Sequence, residues 1–278
     1  MGKYIDLHIH TIYSDGTSSG ARVLEIVRRE KLLAFAITDH DTIDGYLTVR
    51  KLLESNDPEL ITGVELSATI DDDEVHILGY LFDPNDEKLN YALHNFQLRR
   101  EQRGHRIVEK LNILGLALSF EAVKENVTGS VIGRPHIAEA LYKDNLTRSY
   151  QEAFDKYIGN AGPAYVPKVS MTPGEAIGLI HQAGGLAILA HPYIGDMIRY
   201  LDMLIALGLD GIEVYHYSHN RENINFLKKI VEKYNLVVGG GSDFHGRSEQ
   251  NGLIGSMKVP FEYLDILKHK VRQRRGRH

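Results

Sequence analysis

The chain contains no cysteine, which excludes a disulfide framework, a thiolate nucleophile and a sulfur-ligated zinc site. No apolar run approaches the roughly 18 residues of a membrane span. The first residues enter a strand-like run directly, without the charged and apolar regions of a signal peptide, so a soluble, cytoplasmic protein is expected. A Walker loop and a G-x-S-x-G elbow are also missing. The net charge of −5 offers no basic coat for duplex DNA.

What is present is alternation. "LAFAIT", "LITGVEL", "LAILAHP", "GIEVYH" and "LVVGGGSDFH" read as strands, and helical stretches such as 173–182 and 220–233 precede some of them. "EVHILGYLF" has period-two character. Strand and helix in turn, with Gly-rich joints, predict βα units, a largely parallel sheet and closure into a barrel. Residues 84–168 break the rhythm: they are polar and helical, and form a predicted insertion domain between barrel segments 1–83 and 169–278.

The opening "YIDLHIHTIYSDGT" places His8 and His10 on one face of a strand, with Asp15 in the next turn. Alone, this reads equally as a metal grip or as the wet face of an edge strand. Other strand ends decide between the two. His40, Glu65, His191, Asp243 and His245 all fall where parallel barrel strands open onto one mouth. His76 joins them if its own strand runs past that mouth. Imidazole and carboxylate without sulfur suit manganese, zinc or iron. Nine such residues exceed the needs of one ion and could serve three. Clustered divalent ions are suited to phosphate ester hydrolysis.

"HIHTIYSDG", "TDHDT", a Gly-Val-Glu, "AHP" and "GSDFH" resemble, in order, the motifs of the PHP (polymerase and histidinol phosphatase) family of metal-dependent phosphoesterases. "GRPHIAEAL" and "FDKYIGNAGPAYVP" resemble the TrpH/YciV branch. The resemblance implies an α/β fold, a distorted seven-stranded (β/α) barrel of the PHP type with a small helical insertion domain. It implies three divalent ions, with manganese first and zinc or iron as alternatives. The ligands are His8, His10, Asp15, His40, Glu65, His76, His191, Asp243 and His245, with no catalytic group beyond a metal-bound hydroxide. The implied activity is hydrolysis of a nucleotide phosphate monoester, the 3'-phosphate of a nucleoside 3',5'-bisphosphate. A 5'-to-3' exonuclease on short RNA is the alternative of like chemistry. A metal-stabilised, non-catalytic binding module is the alternative of another class.

Substrate contacts are expected from Arg134 and Lys168, which flank the insertion, and from His216 and His219 at the mouth. Arg99, Arg100 and Arg103 lie on a predicted helix, with Arg99 and Arg103 on one side. Asp39 and Asp41 are expected to orient His40, and Asp6 to act similarly. The basic tail "KHKVRQRRGRH" reads as a solvated end, and the oligomeric state stays open.

Overall fold

Several helices start where the sequence supplies an acceptor for their unpaired N–H groups. The computed structural model describes residues 2–71, 73–127, 129, 131–167, 171–246 and 252–276. β1 (Tyr4–Asp6) leads to α1 (Gly20–Arg29), where Ser19 accepts from the Arg22 N–H. β2 (Ala34–Ala36), α2 (Asp44–Leu52), β3 (Glu59–Ile61) and the hairpin of β4 (Gly63–Ile70) and β5 (Asp73–Tyr80) follow. The next stretch is helical: α3 (Glu87–Ile113), α4 (Phe120–Lys124), α5 (Arg134–Lys143) and α6 (Tyr150–Ala153), which runs into a π-helical turn over Phe154–Ile158. α7 (Pro173–Gln182) opens on a Thr172–Glu175 capping box and brings the chain back to β6 (Leu186–Leu189). A 3-10 stretch (Ile194–Tyr200), α8 (Leu201–Ala206), β7 (Gly211–Tyr215), α9 (Arg221–Tyr234), β8 (Val237–Gly240), β9 (Val259–Pro260) and α10 (Glu262–Arg275) complete it.

The strands form two sheets, β3-β2-β1-β9 and β4-β5-β6-β7-β8, and not the single closed seven-stranded barrel expected from the alternation. β5 runs antiparallel to both its neighbours, and β9 antiparallel to β1. The sheets meet at two seams. Past β1, Leu7 N–H donates to Gly240 O (3.1 Å) and His10 N–H to Phe244 O (2.9 Å). Past β2, Asp41 N–H donates to Glu65 O (3.0 Å). Single bridges, Ile9–Phe244 and His40–Glu65, stand there in place of ladders. The backbone explains the break: Asp41 (φ 53°) and Asp243 (φ 51°) are left-handed, which no continuous strand accommodates. At the first seam a Cβ on Gly241 would lie 2.3 Å from His8 N, so glycine alone permits this approach.

The helical stretch has an apolar cluster of its own. Leu89, Leu93 and Phe96 of α3 pack with Ile177 and Ile180 beneath the larger sheet. Ile107, Val108 and Leu111, farther along the same helix, pack with Phe120, Ile137 and Leu141. Among the described residues, no helix is long and apolar enough to cross a membrane.

Candidate metal centre

Glu65, the third residue of β4 and 1% exposed, is the hub of the site. Its Oε2 lies 3.3 Å from His8 Nε2, 3.1 Å from His10 Nε2 and 3.3 Å from His40 Nδ1. Its Oε1 lies 3.0 Å from His76 Nδ1 and 3.1 Å from His191 Nε2. Asp243 Oδ1 sits 3.2 Å from Nε2 of both His8 and His10. His245 Nε2 and Asp15 Oδ1 pair at 3.2 Å on the outer side. All nine strand-end residues therefore come together. His76 reaches the others because β5 runs antiparallel, which brings its first half to the mouth.

The donor atoms fall into three overlapping groups: His10, Asp15, His40 and His245; His8, His10 and Asp243; and His40, Glu65 and His76. Within each, the atoms lie within 4.8 Å of one another. The Nε2 atoms of His8 and His10 approach to 3.1 Å, and among the described residues His40 Nδ1 and His191 Nδ1 are buried without a hydrogen-bond partner. Crowded imidazole and carboxylate lone pairs, some with no proton donor, fit divalent cations of the manganese, zinc or iron type. His191 (φ 24°) and Asp243 (φ 51°) also hold backbone conformations unfavourable for residues with a Cβ, as functional sites often do.

Charge is concentrated here. Burial would raise the Glu65 carboxyl, but His40, His76 and His8 around it hold it well below the usual range. Asp15 and Asp243 are held low in the same way, against burial, by His245 and His40 and by His8 and His10 respectively. Burial pulls the His10 imidazole down, yet the Asp243 and Glu65 carboxylates prevail and push it up to about 10. His76 follows to about 9, while burial takes His40 down to about 3.

The surrounding aspartates are held by several donors, and Asp6 also accepts from the His8 N–H (3.3 Å). Asp39 accepts from Thr11 N–H (2.7 Å), Thr11 Oγ1 (2.7 Å) and Ser14 Oγ (2.6 Å). Ser14 Oγ lies 3.4 Å from His10 Nδ1, so Asp39 acts towards His10 rather than His40. Asp41 accepts from Ser67 N–H (2.8 Å) and from Arg100. Asp6 accepts from Ser242 N–H (2.9 Å) and Gly255 N–H (2.8 Å) and joins β1 to the loop bearing Asp243.

A cavity of about 550 Å³ separates this cluster from the helical stretch. His40, His76 and His191 line it together with Arg100, Arg103, Arg134 and Tyr165. Arg134, the first residue of α5, donates to Asn160 Oδ1 (2.7 Å), and its guanidinium sits 5.7 Å from the Tyr165 ring. Arg100 and Arg103 face the cavity, whereas Arg99 is exposed over Phe96, so the side of α3 differs from the predicted one. His216 is buried with Nε2 3.2 Å from Asp243 Oδ2, and His219 bonds Val214 O at 3.0 Å. Neither borders the cavity. Lys168 lies outside the described residues.

A family model described as the PHP domain matches residues 6–239. The chain belongs to the PHP domain family. This PHP protein is 32% identical over 250 residues to a 5'-3' exoribonuclease of Haemophilus influenzae, with 88% of this chain and 91% of that one covered. It is 30% identical over 257 residues to a 3',5'-nucleoside bisphosphate phosphatase of Chromobacterium violaceum, with 90% of each covered. A structure from Bifidobacterium adolescentis, assigned as a metal-dependent phosphoesterase, superimposes with a TM-score of 0.86 at 30% identity over 96% of both chains. This PHP chain is a metal-dependent phosphoester hydrolase.

Two carboxylates of the PHP site escape sequence reasoning. Glu213 Oε1 lies 3.0 Å from His8 Nδ1, and Glu74 Oε1 2.8 Å from His76 Nε2. For Glu213 a signal exists: it is the only charged residue in the "GIEVY" strand.

Proposed function

We propose that this PHP hydrolase removes the 3'-phosphate of a nucleoside 3',5'-bisphosphate. The observation that carries the reading is that three arginines line the same cavity as three histidines of the carboxylate–imidazole cluster. Burial, together with its neighbours Arg134 and Arg100, lowers Arg103 to about 10. Such mutual repulsion of cations is relieved by an anion, and guanidinium groups match phosphate in fork geometry. A volume of about 550 Å³ suits one nucleotide and excludes a duplex.

In this reading His8, His10, Asp15, His40, Glu65, His76, His191, Asp243 and His245 hold three divalent ions, manganese first. Such ions supply Lewis-acid charge that neutralises phosphoryl oxygens and acidifies water. Glu65, touching five imidazoles, holds the ligand set together. Arg134 takes the phosphate that does not react, Lys168 assists it, and Tyr165 offers a face to the base. His216 and His219 act behind Asp243, away from the substrate. We read β1, β2 and β4 to β8 as the strands of a distorted, open form of the PHP-type barrel, with single bridges in place of ladders at its two seams. Residues 1–83 and 169–278 form that domain, and 84–168 the helical one, supported by its separate apolar cluster.

The Haemophilus influenzae relative favours a second reading, a 5'-to-3' exonuclease on short RNA that uses the same cluster. The deciding experiment offers manganese-loaded protein bisphosphate nucleotides, mononucleotides and short 5'-phosphorylated RNAs. Preferential release of inorganic phosphate from the bisphosphates is expected. Turnover confined to RNA, with mononucleotides as products, would reverse the assignment.

A further inference from the structure

Glu213 is a buried carboxylate that no part of the proposed chemistry uses. It is the third residue of β7 and 0% exposed, and its strand neighbours Ile212 and Val214 are equally buried on the apolar side. An ionised carboxylate in such a place is costly unless its oxygens are satisfied, and an apolar residue would serve packing better. Its partners show why it is kept. Oε1 faces His8 Nδ1 at 3.0 Å, and Oε2 accepts the His191 backbone N–H at 2.8 Å. Both partners belong to the ligand set, and they lie on different strand ends.

We infer that Glu213 is a positioning residue that sets the tautomer of His8 and the backbone of His191 for metal binding. The inference rests on the metal reading of the site. With a carboxylate at Nδ1, the imidazole of His8 carries its proton there and turns an unprotonated Nε2 towards His10 and Asp243. Carboxylate–histidine partners of this kind fix ring orientation and raise ligand basicity. The second oxygen holds His191 at φ 24°, a conformation that needs outside support in a residue with a Cβ. One side chain thus orders two ligands drawn from distant segments.

The chemistry of the amide singles out the test. A glutamine has one acceptor oxygen and one donor NH2, whereas the site presents two donors. If the Glu213→Gln oxygen keeps the His191 N–H, its NH2 faces His8 Nδ1 and forces the proton onto Nε2, where the metal should bind. Manganese binding is measured by equilibrium dialysis and calorimetry in wild type, Glu213→Gln and Glu213→Asp, with circular dichroism of each metal-free protein. Glu213→Gln should keep the wild-type spectrum and bind manganese about 10–100-fold more weakly. Glu213→Asp, which keeps two acceptor oxygens, should recover part of that loss. Equal affinity and stoichiometry in wild type and a folded Glu213→Gln would overturn the inference. Wild type that binds no divalent ion would instead overturn the metal reading beneath it. Should Glu213→Gln not fold, zinc-loaded wild type labelled with nitrogen-15 histidine still decides. A solvent-protected Nδ1 proton, assigned to His8 by its loss in His8→Gln, supports the role, and its absence refutes it.

Discussion

Arg100 of helix α3 reaches across the cavity wall to Asp41, with Nε 2.9 Å from Oδ2 and Nη2 3.0 Å from Ser67 Oγ. Asp41 follows His40 directly, so this pair ties the helical stretch to the loop that bears His40. Removing one partner of a largely buried ion pair costs about 3–5 kcal/mol. The Ser67 N–H, which also bonds Asp41, holds the loss near the lower figure. Arg100→Ala should therefore lower the melting temperature by several degrees. A scan showing the wild-type midpoint would mean that the clasp carries no stability.

Glu65 touches more of the cluster than any other carboxylate described, so Glu65→Gln should be more damaging than its small change in volume suggests. It removes a charge that balances five imidazoles. A loss of about 3 kcal/mol in transition-state stabilisation corresponds to over a hundredfold in rate. Elemental analysis should find less bound manganese in the variant, and kcat on a nucleotide monoester should fall accordingly. Full metal content with near-normal turnover would remove Glu65 from the centre.

The metal-free protein should lose stability in alkali. His10 and His76 are raised to about 10 and about 9 by carboxylates, against an unfolded value of about 6.5. A raised imidazole contributes its stability in full below about pH 6.5 and loses it as pH rises through the folded value. The metal-free midpoint should fall between about pH 7 and about pH 10. Metal binding displaces those protons, so the gap between loaded and metal-free midpoints should widen over the same range. On the acid side the sign reverses: Glu65, Asp15 and Asp243, held low, contribute above their unfolded values and lose this as pH falls through the depressed ones. Parallel melting curves for the two forms across the alkaline range would contradict this account.

Substitution of Arg134 should separate binding from chemistry. Loss of a charge-assisted hydrogen bond costs about 1.5–3 kcal/mol, or roughly ten- to over a hundredfold in affinity. Arg134→Ala should impose that loss in kcat/KM on a bisphosphate nucleotide and leave a small monoester nearly untouched. His191→Ala, next to Glu65 at 3.1 Å, should depress both substrates. Equal losses on both for Arg134→Ala would place that arginine at the reacting phosphate instead.

The cluster at the strand ends was legible before any fold was known, because side-chain period and strand-end position are local properties. His8, His10, His40, Glu65, His191, Asp243 and His245 each sit at or near the end of an apolar run, so order along the chain nearly suffices to find them. The helical character of 84–168 was legible for the same reason, from composition and period. Pairing is different. That β5 runs antiparallel, that single bridges replace ladders at Ile9–Phe244 and His40–Glu65, and that Arg100 rather than Arg99 meets the cavity follow from register between distant segments. His216, expected at the mouth, is buried there against Asp243. Glu213 finds His8 across 205 positions of sequence. Local sequence decides which face a side chain takes, but only the packed fold brings that face to within 3 Å of its partner, since hydrogen-bond and ligand distances depend on long-range contacts that no short stretch encodes.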